Sequence, residues 1–128
     1  MSGLVVDTSV WIDFLNGKPA ATLERGLENG AVVLPPVVVA EQAGGAHQRK
    51  HREAFVDLIA DLAVHDAPVD RWVRVGDLRR RLGEKGIGVS TPDAHAARCV
   101  LDRNAVLLSR DVVFLRIAAV APLRLATD

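Results

Sequence analysis

The stretch that decides the fold is LVVDTSVW, residues 4–11. Leu4, Val5 and Val6 form a short, mostly β-branched apolar run, and Asp7, Thr8 and Ser9 stop it abruptly. Such a run reads as a buried strand, and the polar trio reads as the start of a helix that Thr8 or Ser9 can cap. Val10, Trp11, Phe14 and Leu15 recur at helical spacing before Asn16-Gly17 ends the turn. Working outward, the same alternation repeats. Strands are expected at 31–34, 63–67, 105–108 and 123–125, with helices at 19–28, 37–45, 48–62, from Pro68 onward, 91–103 and 112–118. The glycine-rich stretch 83–88 reads as a loop. No hairpin signal joins two strands, so the pattern predicts an α/β sandwich around a parallel sheet, in one domain over residues 1–128.

Composition narrows the classes. The chain has 128 residues, 49% of them hydrophobic and 25% charged, which supports a real core and excludes intrinsic disorder. Aromatics make up only 4%, so that core is aliphatic. Sixteen basic residues against sixteen acidic ones exclude a globally polycationic nucleic-acid coat. A single cysteine, Cys99, excludes an internal disulfide framework and fits a reducing cytosol. No apolar run approaches the roughly 18–20 residues that span a bilayer, and the N-terminus lacks a signal-peptide pattern. A cytoplasmic protein with no membrane partner is therefore expected.

Among the acids, position is the informative property. Asp7 follows one expected strand and Asp111 another, and in open parallel sheets ligands gather beyond the carboxyl ends of strands. Helix capping is the competing role for both. Asp93 shares a helical face with Ala96, Ala97 and Val100, and Glu41 shares one with Val37 and Val38. Charges on inward stripes need a partner. Arg98 or Arg110 would be the ordinary one, and a metal ion is the alternative. Four carboxylates in one crevice repel one another, and a divalent cation reverses that penalty. Hard oxygen donors select Mg²⁺ or Mn²⁺, whereas His95 and Cys99, four residues apart, make only a thin case for zinc. A metal so held can align a phosphodiester, activate water and stabilise a leaving oxygen.

Four segments carry a family resemblance. LVVDTSVWIDFLNG resembles the signature start of the PIN-domain family, particularly its VapC-type toxin branch. LPPVVVAEQAGG resembles the second acidic motif, with Glu41 and Gly45, and STPDAHAA the third, with Asp93. LLSRDVVFLRIA resembles the fourth, with Ser109, Asp111 and Phe114. The resemblance spans about residues 4–118 in order. It implies a PIN fold, a central parallel sheet of four to five strands with helices on both sides. It further implies Mg²⁺- or Mn²⁺-dependent endoribonuclease activity on structured RNA such as tRNA or ribosomal RNA. Asp7, Glu41, Asp93 and Asp111 would form the acidic quartet, with Asp7 and Asp93 the surest metal ligands, and Thr8 and Ser109 the supporting hydroxyls. Similar proteins are toxins of type II toxin–antitoxin pairs, usually homodimers silenced by a VapB-type antitoxin. Residues 48–88 match nothing specific in that pattern.

An acidic site must still attract a polyanion. Residues 1–46 hold five acids and two bases, net −3, and residues 47–128 hold eleven acids and fourteen bases, net +3. The excess centres on Arg49–Arg52 and Arg79–Arg81, runs that most simply form solvated helix faces. Arg110, beside Asp111, is the candidate phosphate contact, or else the partner of a carboxylate. Trp11 and Phe14 read most simply as core, and alternatively as part of a groove for a partner helix. Two other functions remain open at this point. A catalytically inactive PIN-like binding module would keep the motifs, and a receiver-like phosphoacceptor domain would need a Lys at the end of a late strand. Ser109-Arg110 stands there instead.

Overall fold

Strand β1 (Leu4–Val6) is the centre of a four-stranded sheet with β2 (Val32–Leu34), β3 (Ala63–Val64) and β4 (Val106–Leu108). The computed structural model describes residues 3–45 and 48–127. Every pairing is parallel, and the strand order is β3-β2-β1-β4. Leu4 lies opposite Val32 on one side and Val106 on the other.

Seven helices cover the sheet: α1 (Thr8–Leu15), α2 (Ala21–Glu28), α3 (Pro36–Gly44), α4 (Arg49–Ile59), α5 (Val69–Glu84), α6 (Thr91–Arg103) and α7 (Val113–Ala118). Side chains alternate along a strand, so each strand feeds two cores. Leu4, Val6, Val32 and Leu34 pack with Trp11, Leu23, Val38 and Phe55 from α1 to α4. Val5, Val33 and Leu107 face the other way, onto Val75, Leu82, Ala97, Val100 and Phe114 from α5 to α7. Helices thus lie on both sides of the sheet, in the α/β architecture that the strand–helix alternation predicts. Trp11 is fully buried, meeting Phe55 edge-on at 5.5 Å and Phe14 at 6.2 Å, and belongs to the core. Gly26 of α2 is where a helix presses closest on β1. A Cβ there would stand 2.8 Å from Leu4 Cδ2 and 3.2 Å from Val32 Cγ2, so alanine would require those side-chain ends to shift.

Four expectations need correction. The strand expected at 123–125 is reduced to one bridge, Leu107 with Leu125. The strand expected at 63–67 pairs only over Ala63–Val64, and the His65 N–H then donates to the Leu34 carbonyl. Helix α5 runs into the stretch read as a loop, through Gly83 to Glu84, because buried Leu82 anchors its last turn. The turn comes at Gly86, with φ +81°. Finally, α1 starts after Asp7, not after Thr8 or Ser9, and the Asp7 side chain makes no capping bond.

The order of the strands sets the site. From β1 the chain travels outward through α1 and α2 to β2, and returns through α5 and α6, on the opposite face, to β4. Strands β1 and β4 are therefore neighbours whose outgoing chains diverge. A crevice opens beyond their carboxyl ends, where open α/β sheets take ligands.

Candidate active site

Asp7 leaves β1 at this switch point and is 7% exposed. Its Oδ2 accepts from the Ser109 hydroxyl at 2.9 Å, just past β4, and from the Ser9 hydroxyl at 3.3 Å. Its own N–H donates to the Leu108 carbonyl at 2.9 Å, so backbone and side chain both tie β1 to β4. Ser9 Oγ also accepts from the Arg110 N–H at 3.3 Å. A buried carboxylate held by two hydroxyls and excused from capping keeps its other oxygen for something else.

Asp111 behaves differently. It is exposed, its Oδ1 accepts from the Val113 N–H at 3.0 Å, and its N–H donates to Ser109 Oγ at 3.0 Å. Here the capping role is real: the carboxylate organises the entry to α7. Glu41, on α3, accepts from the Thr8 hydroxyl at 3.0 Å through Oε1. Asp93 is half-buried in the first turn of α6, where its N–H donates to the Ser90 hydroxyl at 3.2 Å, an N-cap of the expected kind.

The electrostatics show how close these groups are. The Asp93 carboxyl is pushed above its ordinary value, chiefly by burial, with the Ser90 hydrogen bond opposing and the charges of Asp7 and Asp111 adding. The Glu41 carboxyl is also pushed up, first by burial, against the Thr8 hydrogen bond, and then by Asp7 and Asp93. Asp93 thus lies within reach of the charges of Asp7 and Asp111, and Glu41 within reach of those of Asp7 and Asp93. Among the described residues, no ion pair reaches any of them. Arg98 pairs with Asp102 at 3.0 Å, and Arg110 with Asp13 of α1. Arg110 and then Lys18 hold the Asp13 carboxyl below its usual range, against burial. Arg110 is thus partnered to a carboxylate outside the quartet.

The donor chemistry suits a hard divalent cation. Among the described residues, no three His, Cys, Asp or Glu side chains close into a ready-made cage. Mg²⁺ asks for less, since one or two carboxylates suffice when water fills the remaining positions. Asp7 and Asp93 are the carboxylates that could meet that requirement. Zinc is poorly served, because burial pushes the Cys99 thiol up to about 12 and so keeps it protonated. His95 lies flat against Trp72, centroids 4.2 Å apart, and burial with His65 nearby lowers it to about 4.

Several residues at the site escaped the sequence reading. Ser9 and Ser90 had been seen only as helix starters, yet Ser9 also holds Asp7. Asp13 is the carboxylate that pairs with Arg110. Gln42 is 1% exposed, and its Nε2 donates to the Thr8 carbonyl at 3.4 Å. A buried amide directly after the acidic Glu41 was the available signal. The basic runs are surface features in the main: Arg49 pairs with Glu53, Arg80 with Glu84, and Arg79 Nε donates to the Val89 carbonyl at 2.6 Å.

The PIN domain family model matches residues 4–120. The chain belongs to the PIN domain family. PIN nuclease domains generally use divalent metals, in keeping with the donor set. No curated protein matches the sequence significantly. Among solved structures, the chain resembles one in a DNA-bound VapBC from Salmonella typhimurium, at 20% identity and TM-score 0.78, covering 98% of each chain. It resembles one in VapBC2 from Rickettsia felis bound to a promoter DNA fragment, at 22% identity and TM-score 0.77 over 96% of each. VapBC-5 of Mycobacterium tuberculosis, a toxin–antitoxin system, matches at 23% identity and TM-score 0.72 over the full length of both chains. At these identities the likeness establishes the fold. Among the described residues, no helix is long and apolar enough to cross a membrane.

Proposed function

We propose that this PIN protein is the toxin of a VapBC-type toxin–antitoxin pair, a cytoplasmic Mg²⁺- or Mn²⁺-dependent endoribonuclease that cuts structured RNA such as tRNA or ribosomal RNA. One observation supports the reading: Asp7 and Glu41 accept from hydroxyl groups, Asp111 accepts from a backbone N–H, Asp93 is raised by burial and by Asp7 and Asp111, and no ion pair reaches any of the four among the described residues. A site that concentrates uncompensated negative charge is built for a cation from outside. When bound, the metal ion neutralises the scissile phosphate and raises the acidity of the attacking water.

The chain's own residues prepare that chemistry. Ser109 and Ser9 fix one oxygen of Asp7, leaving the other directed to the crevice. Thr8 steadies Glu41, and the α6 N-terminus presents Asp93. In the hydrolysis, a water oxygen bonds to phosphorus as the bond from phosphorus to the leaving ribose oxygen breaks. One proton leaves the water and one arrives on the leaving oxygen. Asp7 and Asp93 would be the metal ligands, with Glu41 and Asp111 completing the acidic ring. A VapB-type antitoxin would silence the site. The exposed apolar side chains Val69, Trp72 and Val73 on α5 favour a homodimer, which would cover them.

The deciding experiment is cleavage of RNA by the purified, partner-free protein with Mg²⁺ or Mn²⁺, compared with Asp7→Asn. Wild type should cut and the variant should not. Equal cutting by both would sink the mechanism, and silence of the wild type would favour a binding module without activity. Growth arrest on expression, relieved by the neighbouring gene product, tests the toxin role separately.

A further inference from the structure

Beside the acids lies a cleft of about 590 Å³ that the reading above does not use. Its walls include Thr8 and Ile12 of α1, Asn16 just after it, Glu41 and Gln42 of α3, and His51 of α4. Its size falls within the roughly 300–1,000 Å³ of small-ligand sites. Two of its residues, Thr8 and Glu41, are the hydrogen-bonded pair at the edge of the acidic ring, so cleft and ring are continuous. Gln42 is the unusual member. It is 1% exposed, its Nε2 is committed to the Thr8 carbonyl, and its Oε1 has no hydrogen-bond partner among the described residues. Buried acceptors are nearly always satisfied, so this oxygen needs a donor. The terminal torsion of a glutamine is soft, so the amide can turn as a unit and exchange its long 3.4 Å bond to the Thr8 carbonyl for a bond from a donor in the cleft to Oε1.

We propose that this cleft is a nucleoside subsite in which the nucleotide next to the scissile phosphate donates a hydrogen bond to Gln42 Oε1. The inference rests on the ribonuclease reading and deepens it. Ile12, 36% exposed, offers an apolar surface to a base or ribose face. Asn16 and His51 supply polar groups to the remaining edge. Specificity follows because a site built around a hydrogen-bond acceptor discriminates against a ligand that lacks the donor. The donor is either a base N–H or a ribose 2′-hydroxyl, the group that separates RNA from DNA.

A random-sequence RNA library is cut with Mn²⁺ by the full chain and by Gln42→Met, which keeps the length but loses the acceptor, and the cut sites are sequenced. With a base donor, wild type prefers one class of base beside the cut by about tenfold or more. Gln42→Met loses that preference. With a ribose donor, a single 2′-deoxy substitution beside the cut slows wild type by about tenfold and leaves Gln42→Met unaffected. An unchanged cut-site profile with unchanged sensitivity to the deoxy substitution overturns the subsite. So does an effect of Gln42→Met confined to antitoxin binding, which would assign the cleft to a protein partner. If Gln42→Met fails to fold by circular dichroism, His51→Ala on the cleft wall decides by the same criteria. Failure of the nuclease reading looks different: the wild type itself then cuts nothing, and the inference falls with it.

Discussion

Helix α6 carries two acids that the fold treats in opposite ways. Asp102, near its C-terminal end, has a side chain only 4% exposed, and three guanidinium groups surround it: Arg74 at 2.6 Å, Arg98 at 3.0 Å and Arg71 at 3.8 Å. Asp93, near the N-terminal end, is half-buried and faces three further acids, with a serine for a partner. A buried charge met by cations from the same chain is structural, because folding itself supplies its neutralisation. A charge left among like charges stores a demand that only an external cation meets. The same residue type, nine positions apart on one helix, is thus neutralised from within the chain in one place and left among like charges in the other.

The largest expected effect breaks this contrast from the Asp93 side. Asp93→Asn should reduce RNA cleavage by about 100-fold or more, the cost of losing a metal ligand, while leaving thermal stability unchanged or raised as repulsion is relieved. A large fall in Tm, measured by calorimetry, would place Asp93 with Asp102 as a structural acid. Asp102→Asn is the mirror experiment. It strands three arginines, two of them partly solvated, and should cost about 2–3 kcal/mol, or roughly 8–12 °C in Tm. Cleavage per folded molecule should survive.

A third test uses the imidazole between these ends. His95 keeps its folded value near 4 against 6.5 for the free group, so the unfolded chain binds more protons between those values. Stability from this group is full above about pH 6.5 and is lost as the pH falls toward 4, by about 2–3 kcal/mol. His65 is lowered too, by burial first and then by Arg71, and acts in the same direction. His95→Phe keeps a ring against Trp72 and should flatten this part of the denaturant-derived stability curve. An unaltered slope would deny the imidazole its buried, neutral state. The smallest effect is at Ser109. Removing its hydroxyl in Ser109→Ala leaves Asp7 Oδ2 with the longer Ser9 bond and should lower cleavage about tenfold, within the usual range for groups that orient a metal ligand. No change in rate would make that hydroxyl a scaffold for the Asp111 turn alone.

Much of this site was legible because its residues sit where a local rule predicts something else. Asp7 ends a strand, Asp93 lies on an apolar stripe and Ser90-Thr91-Pro92 announces a helix, so their positions could be read from one to four neighbours. What escaped reading involved partners distant in the chain. The expected choice of Arg110 between phosphate and carboxylate was settled by Asp13, 97 residues away. Of the two acids with a capping role open to them, Asp111 caps and Asp7 does not, because Ser109 bonds to both and the backbone lets only one of them cap. The strand at 123–125 failed because β4 offers it a single bridge.

By itself, then, the amino-acid sequence determined the alternation of strands and helices, the aliphatic core and the placing of four candidate acids at strand and helix ends. These depend on apolar periodicity and on residues at strand and helix ends, which are local properties of the chain. Tertiary structure alone decided which acids are neutralised from within, which hydroxyl holds which carboxylate, and where Gln42 points. Those outcomes depend on hydrogen bonds and charges between segments that meet only when β1 and β4 pair, and no short window of residues contains both partners.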